Sequence, residues 1–308
     1  MTMIVFTNVI LSIIVTSTPL LLAATGELVV EKSGVLNLGV EGMMLVGAIC
    51  GFALALKTGS PTIGILGGLI GGALFSLLFS VLALSFLAAQ VPAGLVLTIF
   101  GTGLSALIGT GFVGVSVTRL PQLSIPGLSH IPVIGPILFG EDILVYLSFA
   151  AVLGVHYVLK RTRVGLVLRA VGDSHDAGHA LGYNVIKIRY LATLFGGGMA
   201  GLAGAYMSLA YNTSWAENMT AGRGWIALAL VVFSMWRPIW LIAGAYLFGS
   251  IMYMSFYLQG LGIAIPSQFV SALPYIATIV VLVIISSNRA RIRLTAPACL
   301  GRPFHATS

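Results

Sequence analysis

Long apolar runs separated by short polar stretches set the pattern of this chain. They fall at about residues 4–24, 35–56, 62–88, 93–113, 143–159, 191–211, 224–236, 239–258 and 268–286. A helix needs roughly 20 apolar residues to cross the hydrocarbon core of a bilayer. The pattern therefore predicts an all-α, polytopic helical membrane protein with about nine spans, within a range of eight to ten. The 224–236 run is too short to span alone, at ~1.5 Å rise per residue. Either it extends backward through Thr220 or it is half of a broken helix. With no long polar stretch, residues 1–308 read as a single membrane domain. Met1 to Ala24 is apolar and lacks a basic leading region, so it reads as the first span rather than a cleaved signal peptide.

Composition agrees with that picture. Hydrophobic residues make up 58% of the 308-residue chain and charged residues only 7%, against roughly 25% charged in soluble domains. The surface must face lipid. A net charge of +7 then reflects Lys and Arg holding the orientation, not an affinity for nucleic acid. The segment from about 160 to 190 holds Lys160, Arg161, Arg163, Arg169, Lys187 and Arg189, and the tail from about 287 to 308 holds Arg289, Arg291, Arg293 and Arg302. Both are expected in the cytoplasm. Four spans separate them, the even number this requires. Counting back puts the N-terminus outside, along with a Pro/Gly-rich loop from about Val117 to Asp142. Of the 15 Lys and Arg, only Lys57, Arg119 and Arg223 then lie outside. The expected location is the inner membrane of a bacterium, with the C-terminus cytoplasmic.

Gly64, Gly68 and Gly72 recur every fourth residue, as do Gly197, Gly201 and Ala205. Each set makes one small helix face, which suits close helix packing within the chain or a subunit interface.

Three segments stand out chemically. Residues 26–45, GELVVEKSGVLNLGVEGMML, place Asn37 and Glu41 inside a membrane boundary broken by glycines, with Glu27 and Glu31 expected in the cytoplasmic interface. Intramembrane polar groups are functional candidates by default; helix-to-helix hydrogen bonding is the competing role. Residues 212–230 carry Trp215, Glu217, Asn218, Arg223 and Trp225 before a short apolar run. Interface anchoring by Trp and snorkelling or pairing by Arg are the plain alternatives here. Both segments are polar, glycine-broken entries into apolar helices, one in each half, and such pairs point to a substrate route. This topology puts Glu41 and Arg223 near opposite faces, so it does not pair them. The third segment, about 160–190, reads as an amphipathic cytoplasmic helix or a solvated loop. Asp173 and Asp176 would sit near its start and Gly182 at its end.

Other chemistry is missing. Gly51 to Thr58 fails the phosphate-loop pattern because Leu56 replaces its second glycine, so any ATP must be bound by another subunit. Cys50 and Cys299 form no framework. His175 and His179 lack the glutamate of a zinc helix and read as surface groups. Nothing supports Ser250 and His156 as an intramembrane protease pair. Asn212 and Asn218 match the glycosylation sequon, a common chance match.

The stretches EKSGVLNLGVEGMMLVGA, RAVGDSHDAGHALGYNVIKIRYLATLFGGGMAGLAGAYMSLAY and WAENMTAGRGWIALALVVF resemble the permeases of simple-sugar and nucleoside ABC importers, within the ribose-permease-like and branched-chain-amino-acid-permease-like superfamily. The resemblance runs from about Gly26 to Ser286, and the nucleoside branch is nearest. It implies a permease without cofactor, working with an ABC ATPase subunit, a second permease chain and an extracytoplasmic solute-binding protein. It also implies that Arg169 to Tyr183 is similar to the coupling helix that docks on the ATPase, with Ala170, Gly172, Ala177 and Gly182 at its small-residue positions. An ion-coupled secondary transporter is the alternative; Glu41 is then the one acid plainly inside a span.

Overall fold

The computed structural model describes residues 2–123, 134–260, 267–286 and 295–305. Among these every regular element is helical, apart from two isolated bridges, Ser116 with Ser214 and Gln122 with Asp142. In chain order the helices are α1 (Thr2–Lys32), α2 (Val40–Thr58), α3 (Pro61–Ser80), α4 (Gln90–Gly109), α5 (Ile134–Phe139) and α6 (Ile143–Arg161). There follow α7 (Arg163–Asp173), α8 (His175–Ala180), α9 (Val185–Tyr206), α10 (Arg223–Phe233), α11 (Pro238–Gly260) and α12 (Ser267–Ser286). Turns of π-helix extend α3 through Ser85 and α9 through Tyr211.

Local chemistry sets the boundaries. Pro61 occupies the start of α3, where its missing N–H costs nothing. Gly59 closes α2 in the left-handed conformation. Asp142 caps α6 by accepting from the Leu144 and Val145 amides at 2.9 and 3.2 Å, and Asn184 caps α9 through the Lys187 amide.

Six helices among the described residues are long and apolar enough to cross a membrane: Val5–Lys32, Val40–Thr58, Pro61–Ser85, Gln90–Phe112, Ile143–Arg161 and Pro238–Gly260. The chain is a multi-pass helical membrane protein. α9 begins earlier than the apolar run suggested, because Val185, Ile188 and Arg189 turn inward. α10 stops at Phe233 and does not extend back through Thr220.

The core is built from α1, α2, α3 and α9. The two small faces pack on each other: a Cβ on Gly68 would meet Ala205, and one on Gly72 would meet the Gly197 and Gly201 backbones. On α2, Gly47 lies against Gly201, and the carbonyl of Met44 lies where a Cβ of Gly204 would be. Of the two roles for these faces, internal packing is the one they fill. Burial here rests on backbone approach, which suits a medium where hydrophobicity does not drive helices together.

Each end of the bundle collects distant parts of the chain. At one end the Cys299 amide donates to Gly172 O and the Gly301 amide to Gly34 O. The Lys32 ammonium donates to Thr295 O. At the opposite end, Asn8 and Ser12 of α1 face Arg119, Gln122, Glu141 and Tyr211 across a cavity of about 630 Å³.

Candidate functional site

Two irregular stretches meet inside the bundle. After Lys32 the chain turns at Gly34, whose φ is +87°, and runs without helix from Val35 to Gly39. Bare backbone at membrane depth must find partners within the protein. Here they are side chains. Gln90 accepts from the Leu36 amide, Asn37 from the Gly39 amide, and Thr98 donates to Leu38 O. Glu27 accepts from the Asn37 amide at 3.3 Å. Asn37 is therefore a buried brace of this stretch.

The second stretch runs from Asn212 to Gly222 and holds Thr213, Asn218, Ala221 and Gly222 at positive φ. Trp215 packs on Gly109 of α4 and aims its indole N–H at Ser105 at 3.4 Å. α10 then starts at Arg223 with no capping side chain from its own segment. Its free amides are taken by Glu41, at the start of α2. That carboxyl accepts from Thr220 Oγ1 at 2.5 Å, the Gly222 amide at 2.8 Å and the Gly224 amide at 2.5 Å. A carboxyl at a helix N-terminus is favoured by the exposed N–H groups and the dipole. The expectation that Glu41 and Arg223 lie near opposite faces is overturned. Because both segments run as non-helical chain before turning helical, their polar ends meet inside the bundle. Contact is between Glu41 and the helix start, with no Glu41–Arg223 ion pair.

Arg223 is 4% exposed. Its guanidinium donates to the Met219 and Thr220 carbonyls and lies over the Tyr211 ring at 5.3 Å, while Nε has no partner. Beside it opens a cavity of about 570 Å³ whose lining includes Glu41, Asn218, Arg223, Thr98, Thr102, Gln259 and Tyr275. Cavities of ~300–1,000 Å³ suit small ligands. Three of the six candidate route residues, Glu41, Asn218 and Arg223, line it. Asn37 and Trp215 are buried elsewhere as braces, and Glu217 is exposed outside it. Thr98, Thr102, Gln259 and Tyr275 escaped the sequence reading, although Thr98, Thr102 and Tyr275 are polar positions within apolar runs and Gln259 directly follows one.

Glu27 and Glu31 are 1% and 2% exposed, not solvated at an interface. α1 continues unbroken past them, and Glu31 accepts from the Trp236 indole at 2.5 Å. Glu41 is thus not the one acid within a span.

The candidate coupling segment forms two helices rather than one. Ser174 breaks them, capping α8 through the Ala177 amide at 3.3 Å. Asp176 does lie in the first turn of α8, whereas Asp173 ends α7. Gly182 closes the segment at φ +84°. Ala170, Asp173, Asp176, Ala177 and Gly182 are exposed and Arg169 is half-buried. Gly172 faces inward, where a Cβ would strike the carbonyl of Lys32. His175 and His179 both lie edge-on to Phe304 at 5.3 and 5.4 Å. Burial, then the Arg189 guanidinium, push His175 below the usual imidazole range. No cluster of metal-ligating side chains occurs among the described residues.

Residues 9–285 match the family described as branched-chain amino acid transport system / permease component, and the chain belongs to that family. TsgC13 of Haloferax volcanii, named as a glucose ABC transporter permease protein, is 40% identical over 94% of each chain. The nucleoside ABC transporter permease protein NupC of Lactococcus lactis is 32% identical over 89% of this chain and 90% of its own. The guanosine ABC transporter permease protein NupQ of Bacillus subtilis is 33% identical over 89% of this chain and 92% of its own. No solved structure matches the chain.

Proposed function

We propose that this chain is the membrane-spanning permease subunit of an ATP-driven ABC importer for a small polar solute, a nucleoside or a simple sugar. The observation that carries the reading is the match to permeases along nearly the whole chain. Hydroxyl-bearing rings of either class need donors and acceptors of both kinds along their route. Arg223, Asn218, Thr98, Thr102 and Gln259 offer them around the cavity at the junction of the two broken segments. Alternating access would open this junction to each side in turn.

The chain is taken to be one domain crossing the bilayer nine times, through α1, α2, α3, α4, α6, α9, the 212–233 stretch, α11 and α12. An odd number suits an external N-terminus and a cytoplasmic C-terminus, and the basic ends of α1, α6, α7 and α9 gather with the tail. Reporter fusions at Asp142 and Ser308 should fall in opposite compartments; equal compartments would sink this map. The exposed side of α7 and α8 is then the seat of the ATPase subunit. The importer also includes a second permease chain and an extracytoplasmic solute-binding protein, in the inner membrane of a bacterium.

The buried carboxyls of Glu27 and Glu31 favour a second reading, ion-coupled transport. Inside-out and right-side-out vesicles separate the two. Uptake of labelled guanosine or glucose that needs ATP and survives collapse of proton and sodium gradients fits the importer. Uptake driven by a gradient without ATP fits the other.

A further inference from the structure

At the end of the bundle that gathers the tail, a cavity of about 480 Å³ lies between the ends of α1 and α6, α7 and the start of α11. Lys32, Lys160, Arg169 and Arg237 line it, with His156 and Trp240. No acidic side chain is in that lining. Among the described residues none of the four cations forms an ion pair. Glu31 and Asp173 are the nearest acids, and Glu31 already holds the Trp236 indole. Lys32 donates to Thr295 O and Arg169 to Gly165 O, which satisfies donors but leaves four positive charges together. His156 Nδ1 is buried without a partner. The first turn of α11, opening at Pro238, adds its positive dipole end to the same wall, although Pro238 has no N–H and the Trp240 amide already donates to Arg237 O.

We infer that this cavity is a binding site for the phosphate group of an anionic phospholipid. Charge asks for a phosphate anion, since Lys and Arg clustered at a helix-end pocket recognise one through charge-assisted hydrogen bonds. The surroundings select the lipid-borne form. Ile239, Trp240, Leu153 and Tyr157, on α11 and α6 beside the cavity, are exposed at 42, 56, 56 and 62%, the pattern of a wall facing acyl chains with a Trp at headgroup level. Leu159 also lines a second cavity of about 460 Å³ between α1, α6 and α9, whose lining residues are all apolar. A basic pocket and an apolar groove with Leu159 as a common wall offer neighbouring places for a headgroup and a chain. Arg169 belongs to α7, so the bound lipid would brace the helix that leads into the exposed coupling surface. The lipid source rests on the membrane-crossing reading above; the phosphate chemistry does not.

The test uses the full chain purified in neutral detergent. Native mass spectrometry would count retained phosphatidylglycerol against phosphatidylcholine, and thermal unfolding would be followed with each lipid or with inorganic phosphate alone. Phosphatidylglycerol should be retained selectively and should raise the unfolding midpoint. Replacing two cations, Lys160→Gln with Arg237→Gln, should weaken retention by about 30-fold, at roughly 5-fold per charge. Lys57→Gln with Arg119→Gln, which removes two cations from the opposite end, should leave it unchanged and controls for net charge. The charge-preserving Lys160→Arg with Arg237→Lys should keep retention and so guards against misfolding. Equal retention by the first pair and the parent overturns the site. A midpoint rise with inorganic phosphate matching that with phosphatidylglycerol overturns the lipid as its ligand. Loss of ATPase-subunit binding in the first pair, with lipid retention intact, assigns the charges to that partner instead and overturns the proposal. ATP-driven uptake by the unaltered chain is read separately and does not depend on any of these outcomes, so failure here is distinct from failure of the importer reading.

Discussion

Glu41 holds two helices together with one carboxyl. It opens α2, and it caps α10 through Thr220, Gly222 and Gly224. Removing it would leave a buried amide, a part-buried amide and a buried hydroxyl without partners, at about 1–3 kcal/mol for each buried group. Glu41→Ala is therefore expected to destabilise the detergent-solubilised chain by about 3 kcal/mol or more, read as a lower thermal midpoint. Glu41→Gln keeps one acceptor oxygen and should cost about half as much. Equal midpoints for all three proteins would mean the cap is not formed. At the opposite end Glu141 is pushed up to about 7 by burial, then by Asp142, with Arg119 pulling the other way. Between about 4.5 and 7 the unfolded chain releases that proton while the folded chain keeps it. This contribution to stability therefore falls as pH rises through the window and is constant above it. Glu141→Gln should flatten the slope and raise the midpoint at pH 8 above that of the parent. An unchanged slope across the window would rule the assignment out.

At the scale of elements, what could be read in advance followed locality. The four-residue spacing of Gly64, Gly68 and Gly72 and of Gly197, Gly201 and Ala205 marks two faces whatever they touch, and the fold presses one onto the other. The broken character of residues 26–45 and 212–230 was also legible, because glycines and polar groups interrupt apolar runs there. Their meeting was not, since nothing local tells that the non-helical residues 35–39 and 212–222 both lie within the bundle before their helices start. The break at Ser174 was hidden because Asp173, Ser174 and Asp176 could each cap a helix; it is Ser174 that caps α8, through the Ala177 amide. Close packing of α2 and α9 gives a sharp contrast. A Cβ on Gly204 would fall on the Met44 carbonyl, whereas Gly103 of α4 has nothing within 4 Å. Gly204→Val should abolish a monodisperse folded species on size-exclusion chromatography, while Gly103→Val should elute as the parent does. If both elute alike, the glycine seam does not set the helix spacing.

For the whole molecule, the least expected feature is how the tail ties the end of α1 to the helices that would receive the ATPase. Lys32 holds Thr295 O, Gly34 O receives the Gly301 amide, and Gly172 O receives the Cys299 amide. Arg189, 1% exposed, donates to Ser33 O and Arg302 O and contacts His175 Nδ1. Phe304 seals the other side against His175 and His179. Four parts of the sequence are thereby fixed around one guanidinium, each bond adding about 1 kcal/mol or somewhat more where charge assists. The core of α1, α2, α3 and α9 meets the tail only at its rim, through Lys32, Arg189, Ala296 and Leu300, so a chain ending at residue 294 should still insert and fold. Its α7–α8 segment, however, loses the bond that Gly172 O accepts from the Cys299 amide and the aromatic cover of both histidines. Amide exchange across residues 163–184 should then speed up while that of α2, α3 and α9 stays as in the parent. ATP hydrolysis by the assembled complex should persist with a smaller share converted to uptake, because a loosened segment transmits less of the ATPase motion. Arg189→Ala should reproduce the exchange effect from inside α9, and Arg189→Lys, which can reach one carbonyl but not two at once, should fall between. Unchanged exchange over residues 163–184 in the shortened chain would show that the tail rests on the coupling helices without holding them.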